Sequence, residues 1–150
     1  MTLLQFLEAR LAEDEKDACD AATMTDGGQW GSSYHVVNGP RVEGVPRRAV
    51  AECASFGGRY AAQHIARHDP ARVLAEVESK RYLLRLHAPH EVDGPVMRIN
   101  GKDQVVPNTN CLSCSDRNPP TWPCATLKAL VGPYAGHPDC PPELAVTPES

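Results

Sequence analysis

The stretch CLSC, from Cys111 to Cys114, begins the part of this 150-residue chain that decides its fold. A third cysteine, Cys124, follows it, and the chain then reaches His137 and Cys140. A CxxC pair in a loop, followed by another thiol and a histidine, is a common way in which proteins surround a tetrahedral zinc ion. The pattern predicts a zinc site that holds the C-terminal part of the chain together.

The spacing of these residues also indicates what kind of site to expect. Cys111 and Cys114 can bind one ion from a tight turn, because two intervening residues let both sulfur atoms converge. Cys124 is expected in the first turn of the last helix, where unpaired backbone N–H groups favour a thiolate. Either His137 or Cys140 can supply the fourth ligand, and spacing alone does not choose between them. With no carboxylate and no vacant position, the site is expected to be structural rather than catalytic.

Composition and charge narrow the class of protein. A hydrophobic content of 41% and an aromatic content of 5% favour a compact helical body with irregular segments over a β-rich core. The net charge of −4 disfavours a general nucleic-acid coat or a basic membrane binder. Residues 1–16 lack the pattern of a signal peptide, and no apolar run approaches the roughly 20 residues of a membrane span. We therefore expect a soluble cytoplasmic protein, in which clustered cysteines indicate metal rather than disulfides.

Apolar periodicity and alanine-rich composition predict helices over 3–22, 47–67, 70–87 and 122–131. Thr2 can cap the first helix, and Asp69 followed by Pro70 marks the start of the third. Gly57-Gly58 can bend or split the second helix.

The chain leaves the helical pattern between residues 89 and 110. Runs at 96–99 and 104–106 flank Asn100-Gly101, which tolerates the positive φ of a type I′ turn and predicts a short hairpin. A weaker hairpin signal joins 34–37 to 42–45, where Pro40 compromises the turn.

These elements predict a mainly α fold, a helical domain of three to four helices with a zinc-stapled C-terminal lobe and a short β-hairpin. We expect a single domain over 1–150, with a helical body in 1–88 and the hairpin and metal-binding lobe in 89–150.

Two other groups of residues carry weaker signals. His64 and His68 have the i,i+4 spacing of a bidentate metal site on a helix, but Ile65 stands where a zinc protease has its catalytic Glu. We expect them to be surface histidines. The basic residues in 59–85 can form a face for phosphate contact, although such residues more often pair with acidic neighbours. No catalytic residue is predicted, and an enzyme is not expected.

Several motifs occur in order along the chain: FLxARLxEDE at 6–15, HIARHDPARVL at 64–74, Glu76-x3-Lys80-Arg81, CxxC at 111–114, PCxTLKxL at 123–130 and PYAxHPD at 133–139. Together they resemble a family of small uncharacterised proteins of actinobacteria and their phages, which carries no assigned biochemical role. In that family the position after Asp139 is typically aromatic, so the resemblance favours His137 over Cys140 as the fourth ligand. It implies a fold, a metal and a host class, but no activity.

The leading hypothesis is a non-enzymatic, zinc-stabilised protein-interaction or regulatory module, with phage-encoded origin as one option. Its metal ligands are predicted to be Cys111, Cys114, Cys124 and His137, its cofactor zinc, and its partner another protein. Two alternatives stay open: a nucleic-acid-binding protein that uses the 59–85 basic face, and an iron–sulfur redox sensor that uses the same cysteines.

Overall fold

The structure is a computed structural model that describes residues 1–25, 27–35, 39–44, 49–53, 58–114 and 122–142. Within these ranges the chain forms four α-helices, a short 3-10 helix and seven strands. The strands make three small antiparallel sheets, so the fold is mixed α/β and the prediction of a mainly α fold is wrong. The chain divides into two compact units, which we call the first unit (Met1–Ala9 with Lys80–Ser150) and the second unit (Arg10–Ser79).

Helix α1 spans Leu3–Met24 and begins where its cap was predicted. The backbone N–H of Gln5 donates to Thr2 Oγ1 at 3.2 Å, and the N–H of Thr2 donates to Gln5 Oε1 at 2.9 Å. This reciprocal arrangement satisfies N–H groups that the first turn would otherwise leave unpaired. The apolar stripe of the helix is buried, with Phe6, Leu7 and Leu11 no more than 1% exposed.

A three-stranded sheet lies in the second unit, with β1 at Gly31–His35, β2 at Gly39–Glu43 and β3 at Ala49–Glu52. The hairpin of β1 and β2 forms despite Pro40, which pairs with Tyr34 in the ladder. The predicted helix over 47–67 is wrong over Ala49–Glu52, which pairs with β2 instead, while residues 47–48 and 54–57 lie outside the described residues. Strand pairing over the fully buried Val42 outweighs the helix propensity of alanine there.

Two further helices follow, α2 at Gly58–Arg67 and α3 at Pro70–Leu86. The predicted cap of α3 is confirmed, because the backbone N–H of Arg72 donates to Asp69 Oδ1 at 2.8 Å. The second carboxylate oxygen of Asp69 accepts from the backbone N–H of Trp30 at 3.2 Å, so one side chain both caps α3 and binds the segment that leads into β1.

The rest of the first unit contains two separate strand pairs and a short helix. Strands β4, Pro89–Val92, and β7, Asn108–Cys111, pair with each other, and so do β5, Val96–Ile99, and β6, Lys102–Val105. The β5–β6 hairpin confirms the sequence prediction, and Asn100 and Gly101 have φ of 54° and 76°. The chain continues into α4, Ala125–Val131, which begins later than predicted, and a 3-10 helix, Gly132–Tyr134.

None of the described helices combines the length and apolar character required to cross a membrane.

A close backbone approach at Gly94 generates a prediction about stability. A Cβ atom at this position would collide with the backbone carbonyl oxygen of Val106, whose N–H donates to Pro95 O at 3.2 Å. Because backbone cannot move aside as a side chain can, we expect Gly94→Ala to lower the free energy of unfolding by about 1–3 kcal/mol. Chemical denaturation measures this change.

The matched control is Gly136→Ala in the same unit, where a Cβ would meet no atom within 4 Å. Equal stability of the two variants would contradict the predicted clash.

Candidate metal centre

A histidine and a cysteine meet where helix α3 gives way to the β4–β7 ladder. His87 directly follows α3, and its backbone N–H continues the helical pattern by donating to Leu83 O at 3.0 Å. The ladder pairs Pro89 with Cys111, and the N–H of Leu112 donates to Ala88 O at 3.0 Å. Antiparallel pairing therefore carries Cys111 back to the end of α3, where His87 lies.

The CxxC stretch forms a tight turn beside the same helix end. The backbone N–H of Cys114 donates to Cys111 O at 3.1 Å, which closes the turn. The hydroxyl of Ser113 donates to Leu86 O and so occupies a carbonyl group that the end of α3 leaves without a helical partner. Both cysteines are thus fixed relative to His87 by backbone and side-chain hydrogen bonds.

The third cysteine arrives from the start of α4. Cys124 is the N-cap of this helix, with extended backbone angles, and its carbonyl oxygen accepts from the N–H of Lys128 at 3.1 Å. The indole N–H of Trp122 donates to His87 O at 3.4 Å and holds the approaching segment at the site. Four ligand-bearing residues therefore come from three parts of the chain.

The distances between the ligand atoms match the size of a single ion. His87 Nδ1 lies 3.2 Å from Cys111 Sγ, 3.5 Å from Cys124 Sγ and 3.6 Å from Cys114 Sγ. All four ligand atoms lie within 4.8 Å of one another. Bond lengths of about 2.3 Å to sulfur and 2.0–2.1 Å to nitrogen in a tetrahedral zinc site imply ligand atoms roughly 3.5–3.8 Å apart. The cluster could therefore hold a metal ion.

Crowding of the thiols affects their ionisation. The side-chain hydrogen bond with Cys111, followed by burial and the charge of nearby sulfur atoms, raises the pKa of Cys114 to about 11. Burial also acts to raise the pKa of Cys124, but hydrogen bonds, first from the backbone N–H of Leu127, outweigh it and lower that pKa. Three thiolates at this separation repel one another, and a bound cation would offset the repulsion.

Of the four ligands predicted from the sequence, the structure brings three together and separates the fourth. Cys111, Cys114 and Cys124 belong to the cluster, and His87 occupies the place expected for His137. His137 instead accepts a hydrogen bond at Nδ1 from the backbone N–H of Asp139, at 3.1 Å. Its ring contacts the buried ring of Phe6 edge-on, with centroids 6.2 Å apart.

The alternative ligand, Cys140, also lies outside the cluster. Its backbone N–H donates to His137 O at 2.9 Å, and its Sγ lies 3.8 Å from Pro141 O. His137 and Cys140 thus both lie in hydrogen-bonded turns after the 3-10 helix.

The sequence pattern did not indicate His87, because only residues that follow the three cysteines along the chain were expected to complete their site. Finding His87 required the pairing of β4 with β7, two strands of polar composition, PHEV and NTNC, without an alternating apolar pattern. The available signal was weak: a histidine at the end of a helix, just before Pro89.

The other histidine pair is exposed, as predicted. The ring centroids of His64 and His68 lie 4.7 Å apart with the ring planes tilted by 50°, and both residues are exposed. In the parts of the chain that the structure describes, no third metal-binding side chain joins them in a cluster.

Comparisons with known proteins identify a family but no function. No curated protein and no solved structure matches the chain. The model of a family described as a family of unknown function (DUF6221) matches residues 1–145. Because this match covers nearly the whole chain, the protein belongs to that family of unknown function.

Proposed function

We propose that His87, Cys111, Cys114 and Cys124 bind one structural zinc ion in a protein-interaction or regulatory module that is not an enzyme. The observation that carries the proposal is a set of four ligand atoms within 4.8 Å of one another, one for each corner of a tetrahedron. Catalytic zinc sites keep one position for water or substrate, whereas structural sites fill all four with Cys and His. This ligand set is of the second kind.

The geometry supports one ion better than an iron–sulfur cluster. The ligands of a cluster bind different iron atoms, so some of them must lie farther apart than ligands that share one ion. Here the three distances from His87 Nδ1 are 3.2, 3.5 and 3.6 Å, close to those of a mononuclear tetrahedral site. Thiolate and imidazole ligands in a tetrahedral arrangement favour zinc.

The position of the site explains what the ion would do. The ligands come from the end of α3, from β7 and the turn after it, and from the start of α4. One ion would therefore crosslink three segments of the first unit. Structural zinc supplies about 10–16 kcal/mol in zinc-finger peptides, enough to decide whether such a lobe folds.

The β5–β6 hairpin supports an interaction role. Val96, Met97, Ile99 and Val105 are 66%, 52%, 41% and 53% exposed. An isolated two-stranded hairpin is at best marginally stable in water, and its outer edges present unpaired backbone groups to a partner strand. We propose that a partner protein adds a strand to this hairpin and covers its apolar side chains.

No observation favours the nucleic-acid alternative. In the 59–85 basic face, Arg72 pairs with Glu76 at 2.7 Å, and Arg81 pairs with Glu8 at 3.7 Å. Lys80 lies 5.4 Å from the ring centroid of Tyr134. These contacts engage three of the cationic side chains in that face and so reduce the charge that it offers to a nucleic-acid backbone.

Two further parts of the proposal rest on the sequence alone. A zinc site with three thiolates requires reduced cysteines, which supports a cytoplasmic location. The actinobacterial or phage origin is supported only by the resemblance of the motifs.

Purified protein made in zinc-replete medium is expected to contain about one zinc per chain, because the cluster offers one tetrahedral shell. Cys114→Ser is expected to lower the zinc content measured by elemental analysis, because it removes one ligand. Cys19→Ser and Cys53→Ser serve as controls, because neither residue belongs to the cluster. Wild-type protein without stoichiometric zinc would refute the assignment, and stoichiometric iron would support the cluster alternative.

The choice of the histidine ligand has its own test. His87→Ala is expected to release zinc to a colorimetric chelator at least tenfold faster than wild type, because it opens one corner of the shell. His137→Ala is the matched control and is expected to lose zinc at the wild-type rate. Equal acceleration in both variants, or acceleration in His137→Ala alone, would overturn the ligand set.

The hairpin surface can be tested in a lysate of the native host. We expect the wild-type protein to enrich a partner that the Val96→Thr/Val105→Thr variant fails to enrich, because threonine retains strand propensity but reduces apolar area. Met24→Thr, at a side chain 84% exposed outside the hairpin, is the matched control. Equal enrichment by both variants, or no enriched protein, would contradict the proposed surface.

A further inference from the structure

The second unit contains a cavity that is separate from the metal centre. Its volume is about 430 Å³, and it lies between strands β1 and β2 and helix α2. Sites for small molecules usually have volumes of about 300–1,000 Å³ and combine apolar walls with a few polar groups. The size of this cavity is therefore that of a ligand site.

Two polar groups at this cavity lack partners within the described residues. The hydroxyl oxygen of Ser33 is buried and forms no hydrogen bond there. The guanidinium group of Arg59 forms no ion pair with any described residue, in contrast to Arg72 on the next helix. A buried hydroxyl without a partner is unfavourable, and a ligand that accepts its hydrogen bond would remove that cost.

The remaining walls suit a flat molecule. The ring of Tyr34 is 72% exposed, while Pro40 and Ala62 are buried and give the cavity an apolar side. Gln63 adds an amide that can both donate and accept. An exposed aromatic ring beside a cavity offers a stacking surface for a planar group.

We propose that this cavity binds a small molecule that joins a planar ring to one acidic group, either a carboxylate or a monophosphate. Arg59 pairs with the acid, because its planar fork matches the oxygen atoms of both groups. The hydroxyl of Ser33 donates to the same ligand, and the ring lies against Tyr34 and Pro40. This binding site is independent of the zinc proposal, because none of its residues belongs to the metal cluster.

The test uses the full-length protein with its metal and follows backbone amide signals by NMR. The probes are AMP and 4-hydroxybenzoate, and their neutral counterparts are adenosine and 4-hydroxybenzamide. We expect at least one acid to shift the signals of Ser33, Tyr34 and Gln63, and the matching neutral compound to bind at least tenfold more weakly. The acid that binds identifies the acidic group as phosphate or carboxylate.

Two variants separate binding from folding. Arg59→Gln is expected to lower the affinity for the acidic probe by about tenfold or more, because a hydrogen bond to a charged group is lost. Ser33→Ala is also expected to lower this affinity without destabilising the protein, because the hydroxyl has no partner among the described residues. Arg98→Gln, on the β5–β6 hairpin, is the control and should bind as wild type does.

The proposal fails if neither acid shifts these signals or if the neutral compounds bind equally well. It also fails if Ser33→Ala, which is expected to fold normally, binds the acid as tightly as wild type. Wild-type affinity in Arg59→Gln would likewise overturn it.

Discussion

Three sulfur atoms and one imidazole nitrogen converge within 4.8 Å of one another, and segments from three parts of the first unit are constrained to meet there. The hydrogen bond with Cys111, followed by burial and the charge of the nearby thiols, raises the pKa of Cys114 to about 11. With a cation at the centre, each thiolate is attracted to the ion, and this attraction offsets the repulsion between the thiolates. Since the ligands come from three segments, the proposed ion would act as a crosslink in the first unit. The described sheets of this unit each contain only two strands.

Hydrogen bonds around the cluster prepare the ligands for this role. Ser113 ties the CxxC turn to the end of α3, and the indole of Trp122 ties the third cysteine's segment to His87. Because these contacts use backbone carbonyls, they fix the positions of the ligand-bearing chain segments as well as their side chains. These hydrogen bonds and the proposed coordination hold the same segments together, which is consistent with a structural role.

Features that depend on neighbours in sequence could be predicted, and those that depend on distant pairing could not. Thr2 and Asp69 cap helices through side chains that reach only three residues ahead. Asn100 and Gly101 set the hairpin turn by their own backbone angles.

By contrast, the proposed ligand His87 is brought to the cysteines by a ladder between strands of polar residues, which leave no periodic signal. His137 was predicted as the fourth ligand because it lies near the cysteines in sequence, yet its ring contacts Phe6. The cavity beside Arg59 likewise depends on how β1 and β2 meet α2, which no local pattern encodes.

The proposed ion and the exposed hairpin are connected by the way a small lobe obtains its stability. Apolar side chains are usually needed in the core, and few of them can be left in solvent without loss of stability. A metal crosslink stabilises the fold by coordination, so fewer apolar side chains are required for burial. In the first unit, Leu127 and Val131 are fully buried, whereas all eight residues of β5 and β6 are exposed. The proposed zinc ion would therefore allow the lobe to leave Val96, Met97 and Val105 exposed for the proposed partner, and this physically connects the two proposals.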